Sequence, residues 1–316
     1  MHWCPAQAQA ENNKKITPLM LIMKTFLEWS TDRLTQAGID SPRIEAEVLL
    51  AGALGFCREE IYRRPERILN EDEKSISRDF VDRRAHREPV AHILGYREFW
   101  SLDFKITSDV LIPRPETETL IETLLKLQAE AKAEVQAEVS PGQARRLLDI
   151  GTGSGIIAVV AARETANCLV TATDLSPDAL VVARANADAH GVTDKINFVQ
   201  GDLFAGPPEK LYDFIVSNPP YIETKRLTDL MPDVRDFEPK TALDGGADGL
   251  DFYRRIISRA SDYLKEGGGL VFEIGETQAE AVSRLLCAED EYETLKVTQD
   301  YSGYDRVVSA RKRTNG

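Results

Sequence analysis

Cysteine and long apolar runs are scarce in this chain of 316 residues. The four cysteines are far apart, and none belongs to a Cys-x-x-Cys pair: Cys4, Cys57, Cys168 and Cys287. This distribution argues against a disulfide framework and a zinc site, and it suits the reducing cytosol. The apolar run at 16–23 is too short to span a bilayer. We therefore expect a cytoplasmic protein that binds neither a metal ion nor a membrane.

Basic residues are also in short supply, because 39 Lys and Arg stand against 52 Asp and Glu, for a net charge of −13. Residues 1–113 contain 16 basic and 18 acidic side chains, so most of the excess negative charge lies after them. An acidic surface disfavours duplex DNA as a partner, because phosphate binding needs cationic side chains. The length predicts a main domain with a smaller companion, and we expect a monomer.

Residues 24–87 predict a small helical domain, because apolar residues recur there at helical spacing and no sheet can be built from this part alone. Gly38 is expected to end a first helix, and Ser41 with Pro42 to begin a second. A third helix is expected from Glu71 to Arg87. The many arginines of this domain fit solvated helix faces better than a site for an acidic partner.

Two segments flank the helical domain. Residues 1–23 are expected to be a non-native or disordered extension, with the true start of synthesis at Met20 or Met23, because helical patterning begins only after them. Residues 88–112 predict a β-hairpin linker between the domains, with strands at 99–100 and 104–107.

Residues 113–316 predict a catalytic domain of the α/β class. After a helix that begins at Pro115 and ends in the loop at 140–142, strands and helices alternate. Strands are expected at 146–150, 169–174, 196–200, 213–217, 269–274, 294–300 and 305–311, and helices at 155–165, 177–190, 250–265 and 277–288. Alternation of this kind predicts a doubly wound, largely parallel sheet. The short turn near Ser302 predicts that the last strand is antiparallel.

A glycine-rich loop follows the first strand of this domain: Gly151, Thr152, Gly153, Ser154 and Gly155. Glycines at such a position let the backbone approach a ligand closely. A dinucleotide fingerprint would need Gly-x-Gly-x-x-Gly, but the spacing here is Gly-x-Gly-x-Gly, and the position after Gly155 is Ile156. The loop therefore suits a ligand without pyrophosphate, and S-adenosylmethionine fits, because its carboxylate can use the following helix N-terminus. A purely structural turn is the alternative.

Two further strand ends bear polar residues that could bind the same cofactor. Asp174 ends the second strand, where a carboxylate can accept hydrogen bonds from ribose hydroxyls. It could instead cap the helix that begins at Pro177. Asp202 and Leu203 follow the third strand, where they could contact the adenine amino group and ring. Taken alone, Asp202 is equally well explained as a turn residue.

The fourth strand leads directly into Asn218, Pro219, Pro220 and Tyr221, a tetrad that we predict to bind the substrate. An amide nitrogen is a poor nucleophile, because its lone pair is shared with the carbonyl group. The two prolines hold the backbone rigid, so the Asn218 side-chain oxygen and the Pro219 carbonyl can accept both N–H bonds of a planar nitrogen. Tyr221 offers a flat wall beside it. Asn218, Pro219 and Tyr221 are the predicted catalytic residues, and a merely rigid loop is the alternative.

These motifs resemble the amino-methyltransferases of the Rossmann-like superfamily with a seven-strand sheet that uses S-adenosylmethionine. More specifically, the chain resembles the release factor glutamine methyltransferase family, PrmC/HemK, from about Lys24 to Arg311. Three further motifs share in this likeness: 95–100 (Gly-Tyr-Arg-Glu-Phe-Trp), 112–118 (Ile-Pro-Arg-Pro-Glu-Thr-Glu), and Glu238-Pro239 followed by Ala242-Leu243.

The resemblance implies a helical N-terminal domain joined to a methyltransferase domain. We expect the helical domain, residues 24–87, to recognise the substrate, because it has no cofactor motif and is rich in arginine. The resemblance implies methylation of the glutamine in the Gly-Gly-Gln motif of bacterial peptide chain release factors, in support of translation termination. It also implies that 151–155, Asp174, Leu203 and Asn218 contact the cofactor, and that 218–221 hold the substrate glutamine. Some relatives have tryptophan where this chain has Leu203, so stacking on adenine would be weaker here.

Other classes of protein share parts of the pattern. A ribosomal-protein glutamine methyltransferase has the tetrad, but we associate it with Arg-Ser-Pro where this chain has 114–116, Arg-Pro-Glu. A DNA adenine methyltransferase has it too, although the acidic catalytic domain counts against DNA. An NAD-dependent dehydrogenase would need the third glycine of the Gly-x-Gly-x-x-Gly fingerprint, and this chain has Ile156 at that position. A protein that only holds the cofactor would have no use for the tetrad.

Overall fold

The computed structural model describes residues 22–135, 144–204 and 211–314, with no account of the side chains of 132–135. The chain folds into two compact units, of which the first ends at Gly95 and the second begins at Tyr96. The expected extension at 1–23 lies outside the described residues, apart from its last two. Those two belong to the first unit, because Ile22 forms a β-bridge with Ile68 and Met23 is fully buried.

The described part of the first unit is helical, as predicted. Its helices are α1 (Met23–Gln36), α2 (Pro42–Leu54), α3 (Arg58–Arg63), α4 (Glu71–Ala85) and α5 (Val90–Leu94). Pro42 is the first helical residue of α2, as expected from its fixed φ. At the start of α4, Asn70 and Glu73 form a capping box, in which each side chain accepts from the other's backbone N–H at 2.9 Å. The helix ends two residues earlier than predicted, because Arg87 has a φ of 73°.

Many arginines of the first unit lie in ion pairs with carboxylates of the same unit. Examples are Arg58 with Glu47, Arg67 with Glu73, and Arg83 with Glu88, at 2.6–2.7 Å. Since these three guanidinium groups already face carboxylates, they do not form a free cationic patch. This arrangement supports the interpretation as solvated helix faces.

The second unit opens with a hairpin of β1 (Tyr96–Phe99) and β2 (Leu102–Lys105). Its turn consists of Trp100 and Ser101, both with a φ of 55°. Two consecutive residues with positive φ characterise a type I′ turn, which usually takes Asn or Gly. The strands predicted at 99–100 and 104–107 are therefore wrong in position, because the turn occurs at residue types that do not signal it. The Trp100 N–H donates to the Glu118 carboxylate at 3.1 Å, which stabilises this turn.

A seven-stranded sheet forms the rest of the framework within the described residues. Its strands are β3 (Arg145–Ile150), β4 (Cys168–Asp174), β5 (Ile196–Gln200), β6 (Tyr212–Ser217), β7 (Leu264–Glu273), β8 (Tyr292–Gln299) and β9 (Asp305–Lys312). They lie in the order β5-β4-β3-β6-β7-β9-β8; β9 is antiparallel to β7 and β8, and the other neighbours are parallel. The predicted α/β class and the antiparallel last strand are confirmed.

Helices connect these strands along the chain. They are α6 (Thr117–Val135), α7 (Ile156–Glu164), α8 (Pro177–Ala189), α9 (Pro232–Arg235), α10 (Asp251–Tyr263) and α11 (Ala279–Ala288), with 3₁₀ turns at Thr193–Lys195, Thr224–Asp229 and Lys240–Ala242. The main correction concerns β7, which begins five residues earlier than the predicted start at 269. Gly267, with a φ of 70°, and an irregular register beside Tyr212 let the strand continue through the glycines. The predicted loop at 140–142 lies outside the described residues.

The strand order reverses between β3 and β6, and this is the point at which open α/β sheets bind their ligands. Ile150, the last residue of β3, is paired with Ser217, the last residue of β6. The Ser217 hydroxyl donates to the Ile150 carbonyl at 2.8 Å, although 67 positions separate the two residues. The glycine loop and the tetrad therefore begin side by side at one edge of the sheet.

Candidate active site

A cavity of about 440 Å³ opens at the carboxyl ends of β3, β4 and β6. The predicted site residues in its lining are Gly151, Thr152, Gly153, Ser154, Asp174, Asp202, Leu203, Asn218, Pro219 and Pro220. This volume is typical of a pocket for a small molecule or cofactor. Two predicted site residues, Gly155 and Tyr221, are not part of the lining.

The glycines of the loop differ in what surrounds them. Gly151 and Gly153 have φ values of 72° and 55°, and a Cβ at either position would meet no atom within 4 Å. A Cβ at Gly155 would lie 3.0 Å from the Cβ of Ala183, on α8. Gly155 therefore permits the close approach of α7 to α8, and the cofactor contact expected of it has no support in this geometry.

Asp149 lies beneath the loop and is fully buried. The Thr152 hydroxyl donates to its carboxylate at 2.6 Å, which connects the strand to the loop that follows it. Burial raises the pKa of Asp149 to about 7, against the opposing effect of the Thr152 hydrogen bond. The carboxyl group thus braces the loop from the interior of the sheet.

Asp174 is not the cap of the helix that begins at Pro177, which was the alternative to ribose binding, but it does bond to the loop and to the turn on either side. One carboxylate oxygen accepts from the Gly153 N–H and the other from the Ser176 N–H, both at 2.9 Å. The cap of α8 is Ser176 itself, whose hydroxyl accepts from the Ala179 N–H. Asp174 therefore fixes the loop and the turn before α8. Its side chain still lines the cavity, and each of its oxygens has a second lone pair with which to accept from a ligand.

The end of the cavity beyond β5 is more apolar. Leu203 has a φ of 57°, and its carbonyl accepts from the Thr173 hydroxyl at 2.9 Å, which holds this unusual conformation. Asp202 is half-exposed and forms an ion pair with Arg255. Phe252 also lines this end of the cavity. It lies about fifty positions after Leu203 in the sequence, and no local pattern connects the two.

The tetrad is held in place by a second segment of chain. The Ile222 N–H donates to the Leu243 carbonyl at 3.0 Å, and the Gly245 N–H donates to the Ile222 carbonyl at 2.8 Å. Asn218 donates from Nδ2 to the Thr117 hydroxyl at 3.4 Å. These contacts fix the backbone immediately after the two prolines, so the tetrad is more rigid than its own residues would make it.

Tyr221 turns away from the cavity and packs against the core of the second unit. Its backbone carbonyl accepts from the Gln278 side chain at 3.0 Å. Burial, with a further contribution from the charge of Glu273, raises the pKa of its hydroxyl to about 12. The hydroxyl group therefore stays protonated near neutral pH, which makes it a poor base.

Three polar residues beside the cavity were not assigned a role from the sequence. Glu238 is buried; it accepts from Arg114 at 2.6 Å and from the Ile112 N–H at 3.0 Å, which joins two walls of the cavity. Thr117 lines the cavity and contacts Asn218. Both belong to motifs recognised only by resemblance. Glu273 is buried behind Asn218. The sequence feature that could have indicated it is a single carboxylate within the apolar segment 269–274.

Two negative findings hold for the part of the chain that the structure describes. No three His, Cys, Asp or Glu side chains are grouped as a metal ion would require. No helix there is long and apolar enough to cross a membrane.

The sequence of this chain is similar to those of known methyltransferases. The family model of the PrmC N-terminal domain matches residues 25–95, and that of the methyltransferase small domain matches residues 131–233. The release factor glutamine methyltransferase of Geobacter sulfurreducens is 40% identical over 93% of this chain and 98% of that protein. The enzyme of the same name from Moorella thermoacetica is 41% identical over 93% of this chain and 99% of that protein.

Solved structures show the fold alone. The crystal structure of the hMettl16 catalytic domain in complex with MAT2A 3′UTR hairpin 6 has a TM-score of 0.53. It is 17% identical in sequence, and the match covers 79% of this chain and 86% of that one. This likeness confirms the methyltransferase fold.

The two loop glycines should respond differently to alanine. Gly155→Ala should lower the free energy of unfolding by about 2–5 kcal/mol, because left-handed strain adds to crowding against Ala183. Gly151→Ala should cost only the strain of about 1–2 kcal/mol, yet its methyl group should obstruct a ligand in the cavity. Urea unfolding and calorimetric titration with S-adenosylmethionine would measure both effects. Equal destabilisation by the two substitutions would contradict the packing role of Gly155.

Proposed function

The chain belongs to the release factor glutamine methyltransferase family, and on that basis we propose that it methylates a glutamine of bacterial peptide chain release factors. The acceptor would be the side-chain amide nitrogen in the Gly-Gly-Gln motif, with S-adenosylmethionine as the methyl donor. The observation that best supports this activity is the placement of a glycine loop and a rigid Asn-Pro-Pro-Tyr tetrad at one cavity.

The cavity fits S-adenosylmethionine. Open space beside Gly151 and Gly153 leaves room for a ligand against the backbone. Asp174 would accept hydrogen bonds from the ribose hydroxyls, while Leu203 and Phe252 would contact the adenine ring. When bound, the cofactor supplies a methyl group on a positively charged sulfur, which leaves as a neutral thioether when the amide nitrogen takes the methyl group and loses one N–H proton.

The tetrad would orient the substrate amide. Asn218 Oδ1 and the Pro219 carbonyl would each accept one of its N–H bonds, which directs the nitrogen and increases its electron density. The prolines and the contacts of Ile222 keep these acceptors in place, so little reorganisation is needed during the reaction. Tyr221 would support the tetrad from the core side. Its hydroxyl would not act as a base, because its raised pKa keeps it protonated near neutral pH.

We further propose that the chain acts as a monomer in the cytoplasm and that duplex DNA is not its substrate. The net charge of −13 supports the exclusion of DNA. The first unit would recognise the folded release factor, since all the residues that line the cavity belong to the second unit.

The proposed reaction has a direct test. Incubation with methyl-labelled S-adenosylmethionine and purified release factor should place one methyl group on the Gly-Gly-Gln glutamine, as located by peptide mapping. A release factor with that glutamine changed to alanine is the matched control and should remain unlabelled. Labelling of the control to the same extent, or of adenine in DNA, would contradict the proposal.

Substitutions in the tetrad should separate positioning from proton transfer. Asn218→Ala removes one fixed acceptor at the reacting nitrogen, so the single-turnover rate should fall by about 10²–10³ at saturating cofactor. Cofactor affinity should change much less. Tyr221→Phe should keep most activity, whereas Tyr221→Ala should lose much of it because the core contacts disappear. An inactive Tyr221→Phe enzyme with normal cofactor affinity would point to a proton path through the hydroxyl.

The role of the first unit can be tested with two substrates. A fragment that begins at Tyr96 should bind S-adenosylmethionine with nearly the affinity of the full chain. It should methylate a short Gly-Gly-Gln peptide about as well as the full chain does, but intact release factor far less well. Equal kcat/KM values of fragment and full chain for intact release factor would show that the first unit is not the recognition element.

A further inference from the structure

Glu273 is a buried carboxylate immediately beside the tetrad. It is the last residue of β7, and the residue before it, Phe272, is paired with Ser217 at the end of β6. The next residues along these two parallel strands are Glu273 and Asn218, which are therefore lateral neighbours. Only 1% of Glu273 is exposed, so its carboxyl group can interact with little besides the protein.

Glu273, Thr117 and Asn218 are polar side chains that lie close together, and one hydrogen bond joins two of them. Asn218 Nδ2 donates to the Thr117 hydroxyl at 3.4 Å. The Thr117 hydroxyl and the Asn218 amide lie close enough to the Glu273 carboxylate to lower its pKa. One oxygen of this carboxylate is buried without a hydrogen-bond partner among the described residues, so it can still accept a hydrogen bond from a neighbouring donor. A hydroxyl group has one proton, so when Thr117 donates it to Glu273, its lone pairs face Asn218. This direction of donation requires the nitrogen of the Asn218 amide to face inward.

The Asn218 amide could also adopt the inverted orientation, with its oxygen and nitrogen exchanged. Hydrogen bonding with Thr117 and Glu273 disfavours this inverted orientation. The amide oxygen and nitrogen differ little in size, so packing alone does not distinguish the two orientations. An inverted amide would turn its oxygen towards a buried carboxylate and present NH₂ to the cavity. An NH₂ group cannot accept a hydrogen bond from the substrate nitrogen.

We propose that Glu273 is a positioning residue that, through Thr117, holds Asn218 with Nδ2 inward and Oδ1 directed into the cavity. The inference rests on the proposed function, because only a substrate that donates N–H bonds needs Oδ1 there. Glu273 does not contact the reacting atoms in this scheme. It acts by making one of two nearly isosteric amide orientations the stable one.

The charge state of Glu273 should control this orientation. Burial raises its pKa to about 7; the hydrogen bonds of Thr117 and Asn218 and the charge of Arg306 oppose this rise, and Glu116 adds to it. The two tyrosines near it, Tyr221 and Tyr253, are neutral at this pH. The ionised carboxylate can only accept from Thr117. The protonated carboxyl group can also donate to the Thr117 hydroxyl, which is then free to donate to an inverted Asn218 amide, so one orientation is no longer favoured. Activity that depends on this orientation should therefore fall as the pH drops through about 7.

The test compares wild type with Glu273→Gln and Thr117→Val, and uses Thr123→Val as the matched control. Thr123 is buried on the same helix as Thr117 and does not line the active-site cavity. Glu273→Gln and Thr117→Val should each lower the single-turnover rate about 10–100-fold at saturating cofactor. Thr123→Val should stay near the wild-type rate. The wild-type rate at saturating cofactor should rise with a midpoint near pH 7, and most of this pH dependence should disappear in Glu273→Gln. Asp149 has a similar pKa, but it contacts the glycine loop and not the tetrad.

A binding measurement supplies a readout that does not depend on turnover. With S-adenosylhomocysteine bound, the affinity of each variant for a Gly-Gly-Gln peptide is measured by calorimetry at pH 6 and pH 8. Wild type should bind the peptide more tightly at pH 8, and Glu273→Gln should bind it weakly at both values. Its affinity for S-adenosylhomocysteine and its Tm should remain close to those of wild type.

The outcomes distinguish the inference from the function on which it rests. If wild type methylates the glutamine and Glu273→Gln retains both its rate and its pH dependence, the positioning role is wrong. A loss of cofactor affinity and Tm equal to the loss of rate would assign Glu273 a structural role and also overturn it. If wild type methylates no glutamine at all, the proposed function itself fails.

Discussion

The parallel pairing of β3 with β6 is the contact on which the site depends. Ile150 and Ser217 end their strands at the same height, and the Ser217 hydroxyl bonds to the Ile150 carbonyl. Each strand then continues into a loop of special backbone conformation: glycines give one loop its positive φ angles, and two prolines restrict the other. A shift of one residue in this register would turn alternate side chains to the opposite face and separate the loops. The cavity exists because the two strands end in register and the strand order reverses there.

Three buried carboxyl groups support the loops around this cavity. Asp149 bonds to Thr152, Glu238 bonds to Arg114 and the Ile112 backbone, and Glu273 lies against Thr117 and Asn218. Burying a carboxylate is costly unless hydrogen bonds compensate for the lost water. That cost raises the pKa of both Asp149 and Glu273 to about 7. In return, the loops are oriented before any ligand arrives, which is the condition for catalysis by positioning.

The polar side chains of the two units are arranged differently. In the first unit, several arginines between Arg58 and Glu88 form ion pairs with carboxylates of the same unit. In the second unit, polar groups converge on one cavity. The oxygens of Asp174 bond to the loop and to the turn before α8, and its side chain also lines the cavity. Each oxygen keeps a lone pair beyond these hydrogen bonds, so the structural role leaves room for the proposed contact with a ligand.

The sequence alone determined what depends on neighbouring residues. Periodic apolar positions predicted the helices and strands. The motifs at strand ends predicted site residues of which all but Gly155 and Tyr221 line the cavity, because parallel strands end at a common edge. Only the tertiary structure could decide features that involve distant segments. The turn at Trp100 and Ser101 has no local signal, the function of Gly155 depends on Ala183, and Tyr221 turns towards the core. Glu273 was a lone carboxylate in an apolar strand until the pairing of β6 with β7 brought it beside Asn218, since contacts between strands are set by register and not by distance along the chain.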